Sequence, residues 1–187
     1  MRIIMAIFIL GLIGCGEDGA NNTCAAGGPR HGYLAGPFGT DVGAVIENLA
    51  LVAADGSLFA LERIHHDGNN RLLLIMTAAG WCGACIEEQP TLQGLYEMYG
   101  ANGLAVLVAL FEDDQFNPAD AALAAAWTQQ YHVTFPVLAD PHFVFDAYYD
   151  STLTPMQMFV DVCSMEILKI GTGSDASAIE AIIEARL

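Results

Sequence analysis

The chain has 187 residues, 54% hydrophobic and 15% charged, with a formal net charge of −16. That length fits one domain with room for a core, and the apolar content excludes a disordered chain. Six Lys and Arg against 22 Asp and Glu give a surface that repels phosphate, which argues against nucleic-acid binding.

The first element is an address. Arg2 supplies a short basic start, and Ile3 to Ile13 form an apolar stretch of eleven residues. No run reaches the roughly 18 residues that a bilayer-spanning helix needs, while this one has the length of a signal-peptide core. It ends in Leu12-Ile13-Gly14-Cys15, which resembles the lipobox of bacterial lipoproteins. The resemblance implies cleavage before Cys15 and lipidation of its sulfur, so residues 1–14 are expected to be the signal peptide. Gly16 to Gly43 holds eight glycines and two prolines, and residues 15–44 read as a flexible tether. An anionic domain is not drawn to anionic lipid, so attachment would come from the acyl chains alone.

From Val45 the pattern is that of a compact α/β domain, residues 45–187. Leu49–Val52 and Leu58–Leu61 flank Asp55-Gly56 and predict an N-terminal hairpin. Leu72–Ala79 and Leu104–Phe111 are nearly continuous apolar runs, as in strands covered on both faces. Between them Gly83–Tyr99 predicts a helix, kinked near Pro90. Asn117-Pro118 predicts the start of the next helix, with Leu123, Trp127 and Tyr131 as its core stripe. A short strand at Phe135–Ala139, an antiparallel pair at Met156–Val160 and Met165–Ile170, and a last helix carrying Ile179, Ile182, Ile183 and Leu187 complete the order. The expected fold is a mixed central sheet flanked by helices on both faces.

Chemistry concentrates at Trp81-Cys82-Gly83-Ala84-Cys85, between the first buried strand and its helix. A cysteine at a helix start sits among free backbone N–H groups that stabilise its thiolate, and one a turn further in stays shielded. Cys82 is therefore the candidate nucleophile and Cys85 the resolving thiol of a disulfide exchange. Zinc would need two more Cys or His ligands at matching spacing, and neither the remaining cysteines nor the five histidines supply them. A purely structural bridge would close too small a loop to stabilise much. Copper bound by the two cysteines with Met156, Met158 or His142 is the third alternative.

At these residues the chain resembles the thioredoxin-like superfamily, and within it the membrane-anchored TlpA/ResA-type thiol-disulfide oxidoreductases, from about Gly43 onward. Glu88, three residues after Cys85, matches a carboxylate this group places near its cysteines, and Pro90 matches its helix-kinking proline. Thr134 to Asp140 resembles the group's F-P-V-x-x-D segment. Thr154-Pro155 before Phe159-Val160-Asp161 resembles its cis-proline loop and strand. The resemblance implies a thioredoxin-like fold and no cofactor. Glu88 would exchange a proton with Cys85, the Thr154 backbone beside Cys82 would bind an extended substrate, and Trp81 would shape that surface. It implies a monomer facing the periplasm that exchanges disulfides with envelope proteins, in the reductive direction, recharged by an upstream redox partner. The family pattern is broken in two places. Met76 stands where thioredoxins carry a buried acid, and Val162-Cys163-Ser164 replaces a Gly-containing turn.

Cys24 and Cys163 remain. In an oxidising compartment they are candidates for a second bridge clamping the tether to the domain, or they stay as two thiols. A peroxiredoxin would need Pro and Thr or Ser at positions 75 and 79, where Ile75 and Ala79 stand, and an arginine between Cys85 and Arg186, where there is none. A non-enzymatic copper binder is the other reading kept open.

Overall fold

The computed structural model describes residues 30–173 and 176–187. In chain order the elements are β1 (Ala50–Val52), β2 (Leu58–Ala60), α1 (Glu62–His66), β3 (Leu72–Ala79), α2 (Gly83–Tyr99), β4 (Leu104–Glu112), α3 (Ala121–Tyr131), β5 (Val137–Ala139), β6 (Met156–Asp161), β7 (Glu166–Thr172) and α4 (Ala176–Arg186). They build one seven-stranded sheet in the order β2-β1-β5-β4-β3-β6-β7. β3, β4 and β5 are parallel, while β6 and β7 run antiparallel beside them and the β1–β2 hairpin closes the other edge. This is a thioredoxin-like α/β fold, as the family resemblance implied, with the mixed sheet that the strand and helix order predicted.

The apolar runs behave as fully covered strands. Along β3, Leu72, Leu74, Met76 and Ala78 join one core with Leu92 of α2, Trp127 of α3 and Ile179 and Ile183 of α4. Leu73 and Ile75 point the other way, into a second core with Ile46, Leu61, Ile64, Phe145, Met156 and Met158. The period-2 alternation of a strand produces both cores from one run. The three long helices share the first face, and the short α1, absent from the sequence expectation, sits on the second.

One expectation is corrected. The helix signalled by Asn117-Pro118 starts at Ala121, and its cap is Asp120, whose side chain accepts from the Leu123 N–H at 2.8 Å. Asn117 is used elsewhere: its backbone and side chain both donate to the Asp113 carboxylate, and Pro118 bridges to Glu112. Residues 1–29, including the expected signal peptide, Cys15 and Cys24, lie outside the described residues, but Arg30 to Ala44 is packed on the domain. The Arg30 guanidinium donates to the carbonyls of His65, Asp67 and Asn70 at 2.9, 3.1 and 2.9 Å. Tyr33 donates to the Ile46 carbonyl, and Gly43 N–H to that of Ile167. Specific bonds of this kind fix a segment that glycine content alone marked as loose.

Candidate functional site: a disulfide at the start of α2

β3 ends at Ala79, and Gly80 carries the chain over to α2. A Cβ at Gly80 would lie 2.6 Å from the Asp114 nitrogen and 2.7 Å from the Asp113 carbonyl carbon, so only glycine lets the β4–α3 loop approach this closely. The Gly80 N–H donates to the Glu112 carbonyl at 2.8 Å. This contact sets where the next two residues fall.

Cys82 is the N-cap of α2, in extended conformation, and its Sγ accepts from the Cys85 N–H at 3.1 Å. Cys82 and Cys85 are joined in a disulfide, with Cα atoms 5.2 Å apart. Both are buried, Cys85 completely. The Cys85 N–H, one of the free donors of the first helical turn, therefore points at the Cys82 sulfur, at the positive end of the helix.

The buried residues of α2 are Cys85, Glu88, Gln89, Leu92 and Leu95, the i, i+3, i+4, i+7 face of an amphipathic helix. That periodicity puts a carboxyl and an amide into the core one turn behind Cys85. Glu88 is only 4% exposed and accepts a hydrogen bond from Gln157 of β6. Gln157 occupies the first face of the sheet because Met156 and Met158 alternate to the second. The Gln89 side chain donates to the Cys85 carbonyl at 2.8 Å and reaches the Met76 sulfur at 4.0 Å.

Across from α2, the Thr154–Pro155 peptide is cis. The Met156 N–H donates to Thr77 Oγ1 at 3.1 Å, which ties this loop to the end of β3. Thr154 Oγ1 lies 4.0 Å from Cys85 Sγ. Thr154 thus faces Cys85 through its side chain. Trp81 is 37% exposed; its indole N–H donates to Glu112 at 2.8 Å, and its ring stacks on Phe116 and meets Phe111 edge-on.

Trp81, Cys82, Cys85, Glu88, Thr154 and Pro155 are therefore gathered at one end of the sheet. Cys163 is not: it follows β6 at the opposite end, roughly 20 Å away at the usual strand rise, and is itself disulfide-bonded. The Cys24 half of the expected bridge lies outside the described residues. Sequence reasoning missed Gln157, Gln89 and Glu112. Gln157 left a signal, as the lone polar residue inside the run Met156 to Val160, since a buried amide needs a partner.

A mixed sheet of this order, with a C-x-x-C disulfide capping the helix after β3 and an X–Pro loop facing it, defines a thioredoxin-like domain. The chain matches the redoxin family over residues 39–164 and belongs to it. No protein of curated function matches the sequence. Among solved structures it resembles a protein assigned as the thiol:disulfide interchange protein DsbE of Chlorobium tepidum, with 21% identity, 79% of this chain and 98% of that one covered, and a TM-score of 0.65. It also resembles an exposed lipoprotein thioredoxin of Streptococcus pneumoniae, at 19% identity over 74% of this chain and 99% of that one, TM-score 0.57. A secreted disulfide oxidoreductase of Mycobacterium tuberculosis is similar at 16% identity over 74% and 96% of the two chains, TM-score 0.54. At these identities the likeness is one of fold.

Proposed function

We propose that this protein is an envelope thiol-disulfide oxidoreductase of the TlpA/ResA type that reduces disulfides in protein partners. The single observation that carries the reading is the Cys82–Cys85 disulfide at the N-terminus of α2, with Thr154 facing it and the Glu88–Gln157 pair one turn behind. An upstream dithiol first reduces the pair. The Cys82 thiolate then attacks a partner disulfide: a Cys82–partner S–S bond forms, the partner bond breaks, and its second sulfur leaves and takes up a proton. Cys85 passes its proton to Glu88 and attacks Cys82 Sγ. The mixed disulfide breaks, the partner's first sulfur leaves and is protonated, and two electrons have moved from the protein to the partner.

Residues 1–14 act as the signal peptide in this reading, Cys15 is the lipidated N-terminus, and the Cys24–Cys163 bridge would clamp the segment after the anchor. Anchoring to the periplasmic face of a membrane would come from acyl chains on Cys15, and no helix among the described residues is long and apolar enough to cross a membrane. Metabolic labelling with a fatty-acid analogue tests the anchor: the wild type should be tagged, and tagging of Cys15→Ser would overturn it. Reduction of insulin in the presence of dithiothreitol tests the activity. A wild-type rate no higher than that of Cys82→Ser removes the oxidoreductase reading.

A further inference from the structure

A groove of about 560 Å³ opens beside the disulfide, lined by Trp81, Phe111, Glu112, Phe143, Asp146, Ser151 and Thr152. One rim is the residue before Cys82, and the other is the turn that runs into Thr154. A partner segment lying along this groove would run beside the residue that precedes Cys82. Its wall carries rings in contact, Trp81 on Phe111 at 5.9 Å between centroids and Phe111 on Phe143 at 6.1 Å, and Phe116, just outside the lining, stacks on Trp81 at 5.5 Å. Phe116 and Phe143 hold φ values of 63° and 53°. Left-handed backbone is costly for a bulky side chain, so these two rings are kept in place against a local penalty.

The groove has two further properties. Phe116 is 66% exposed and Trp81 37%, so apolar ring surface faces solvent beside the reacting sulfurs. Two carboxylates, Glu112 and Asp146, stand at its edge, and no Lys or Arg lines it. Neither takes part in an ion pair among the described residues. Burial, and then the neighbouring Glu112, hold the Asp146 carboxyl above its ordinary range, which indicates that the two charges feel one another. Ring faces attract cations through their quadrupole, and carboxylates attract them by charge, so both features ask for the same ligand.

Resting on the oxidoreductase reading, we infer that this groove takes a Lys or Arg side chain of the partner polypeptide, a few residues from its reactive cysteine. The cation lies over the Trp81–Phe111 wall between Glu112 and Asp146 and brings the partner sulfur to Cys82. Partners are then basic around the cysteine, and the overall charge of −16 adds long-range steering toward the same site.

The test uses the reduced protein and peptides with one cysteine held as a mixed disulfide with glutathione. The peptides differ only in a Lys, Ala or Glu placed two to four residues away on either side. The second-order rate constant of exchange is measured by stopped-flow tryptophan fluorescence. Wild type should prefer Lys over Ala by about two- to fivefold, the range expected of one exposed cation contact, with Glu slowest. Asp146→Asn should reduce the Lys-to-Ala ratio, and adding Glu112→Gln should bring it close to one. The ratio is internal to each variant, so altered intrinsic thiol reactivity does not enter it. Equal rates for all peptides in wild type overturn the inference and leave the oxidoreductase reading standing. A preference that survives both substitutions overturns the assignment to this groove. Failure of every peptide to exchange, the Ala one included, overturns the oxidoreductase reading itself.

Discussion

The two faces of the sheet are built differently. The first is covered by three regular helices, α2, α3 and α4, and carries the disulfide and the buried Glu88–Gln157 pair at its core. The second is covered by the short α1 and by irregular chain: the Arg30–Glu47 segment and residues 140–149, with Phe145, Tyr148 and Tyr149 packed beneath. On the first face, order comes from helix periodicity and the chemistry rides on it. On the second, order comes from single polar side chains that hold loops down, such as Arg30 on three carbonyls and Asp140 on the Val144 and Phe145 N–H groups. The difference teaches that the two faces are ordered by different means and meet at the disulfide, where Phe143 and Asp146 of the irregular segment line the groove beside Trp81.

The largest effect expected is on the first face. Cys82→Ser should lower disulfide exchange by roughly a thousandfold or more, since it removes the proposed attacking sulfur. Cys85→Ser should instead accumulate a mixed disulfide with the partner, visible as a gel shift lost on reduction. Loss of exchange in both without any trapped species would mean that Cys82 is not the attacking sulfur.

Next comes a test of whether the irregular face is core or wrapping. Phe145 is fully buried, so Phe145→Ala should destabilise by about 3–5 kcal/mol, as for an aromatic in any close-packed interior. Chemical denaturation measures it. A cost below about 1 kcal/mol would make this face a loose cover and sharpen the contrast well beyond what the geometry implies.

The Glu88–Gln157 pair allows a subtler comparison. Glu88→Gln should slow exchange about tenfold or more if the carboxyl moves the Cys85 proton. Gln157→Leu removes the amide that donates to that carboxylate, which disfavours its charged form and should move the pH profile of exchange to higher pH. Thermal unfolding of the same variant separates this from general damage. An unchanged profile in both variants would assign proton transfer to water.

The same contrast governs what the sequence disclosed. β3, α2 and the Asp55-Gly56 hairpin were legible with nearly their observed bounds, because period and turn chemistry are local. The site was legible as far as Cys82, Cys85, Glu88 and Thr154-Pro155. What escaped depends on long-range partners. Asn117 and Asp120 carry equally good cap chemistry, and the loop bonds to Asp113 decide between them. Arg30 reads as part of a glycine-rich tether until the three carbonyls it meets are known. Gln157 and Glu112 acquire meaning only from Glu88 and Trp81, which lie 69 and 31 residues away in the chain. Arg30→Ala should cost about 1–2 kcal/mol, the worth of lost charged hydrogen bonds on a part-buried surface.

The smallest effect is on pH dependence, and it comes from Asp140, at the end of β5. Burial raises its carboxyl above the ordinary range, against the lowering effect of the bonds it accepts from Val144 and Phe145. A raised value means that the folded chain binds this proton more tightly than the unfolded one. Its contribution to stability is then fully present below the unfolded value of 3.8 and is lost as pH rises through the folded value. Wild type should lose stability relative to Asp140→Asn as pH rises above about 4 toward neutrality, with the difference between the two read from denaturation midpoints. The asparagine keeps one oxygen for the Val144 N–H and removes the titration. A difference that grows in the opposite sense would show that the two N–H bonds outweigh burial, and that the irregular face is held by the charged form of Asp140.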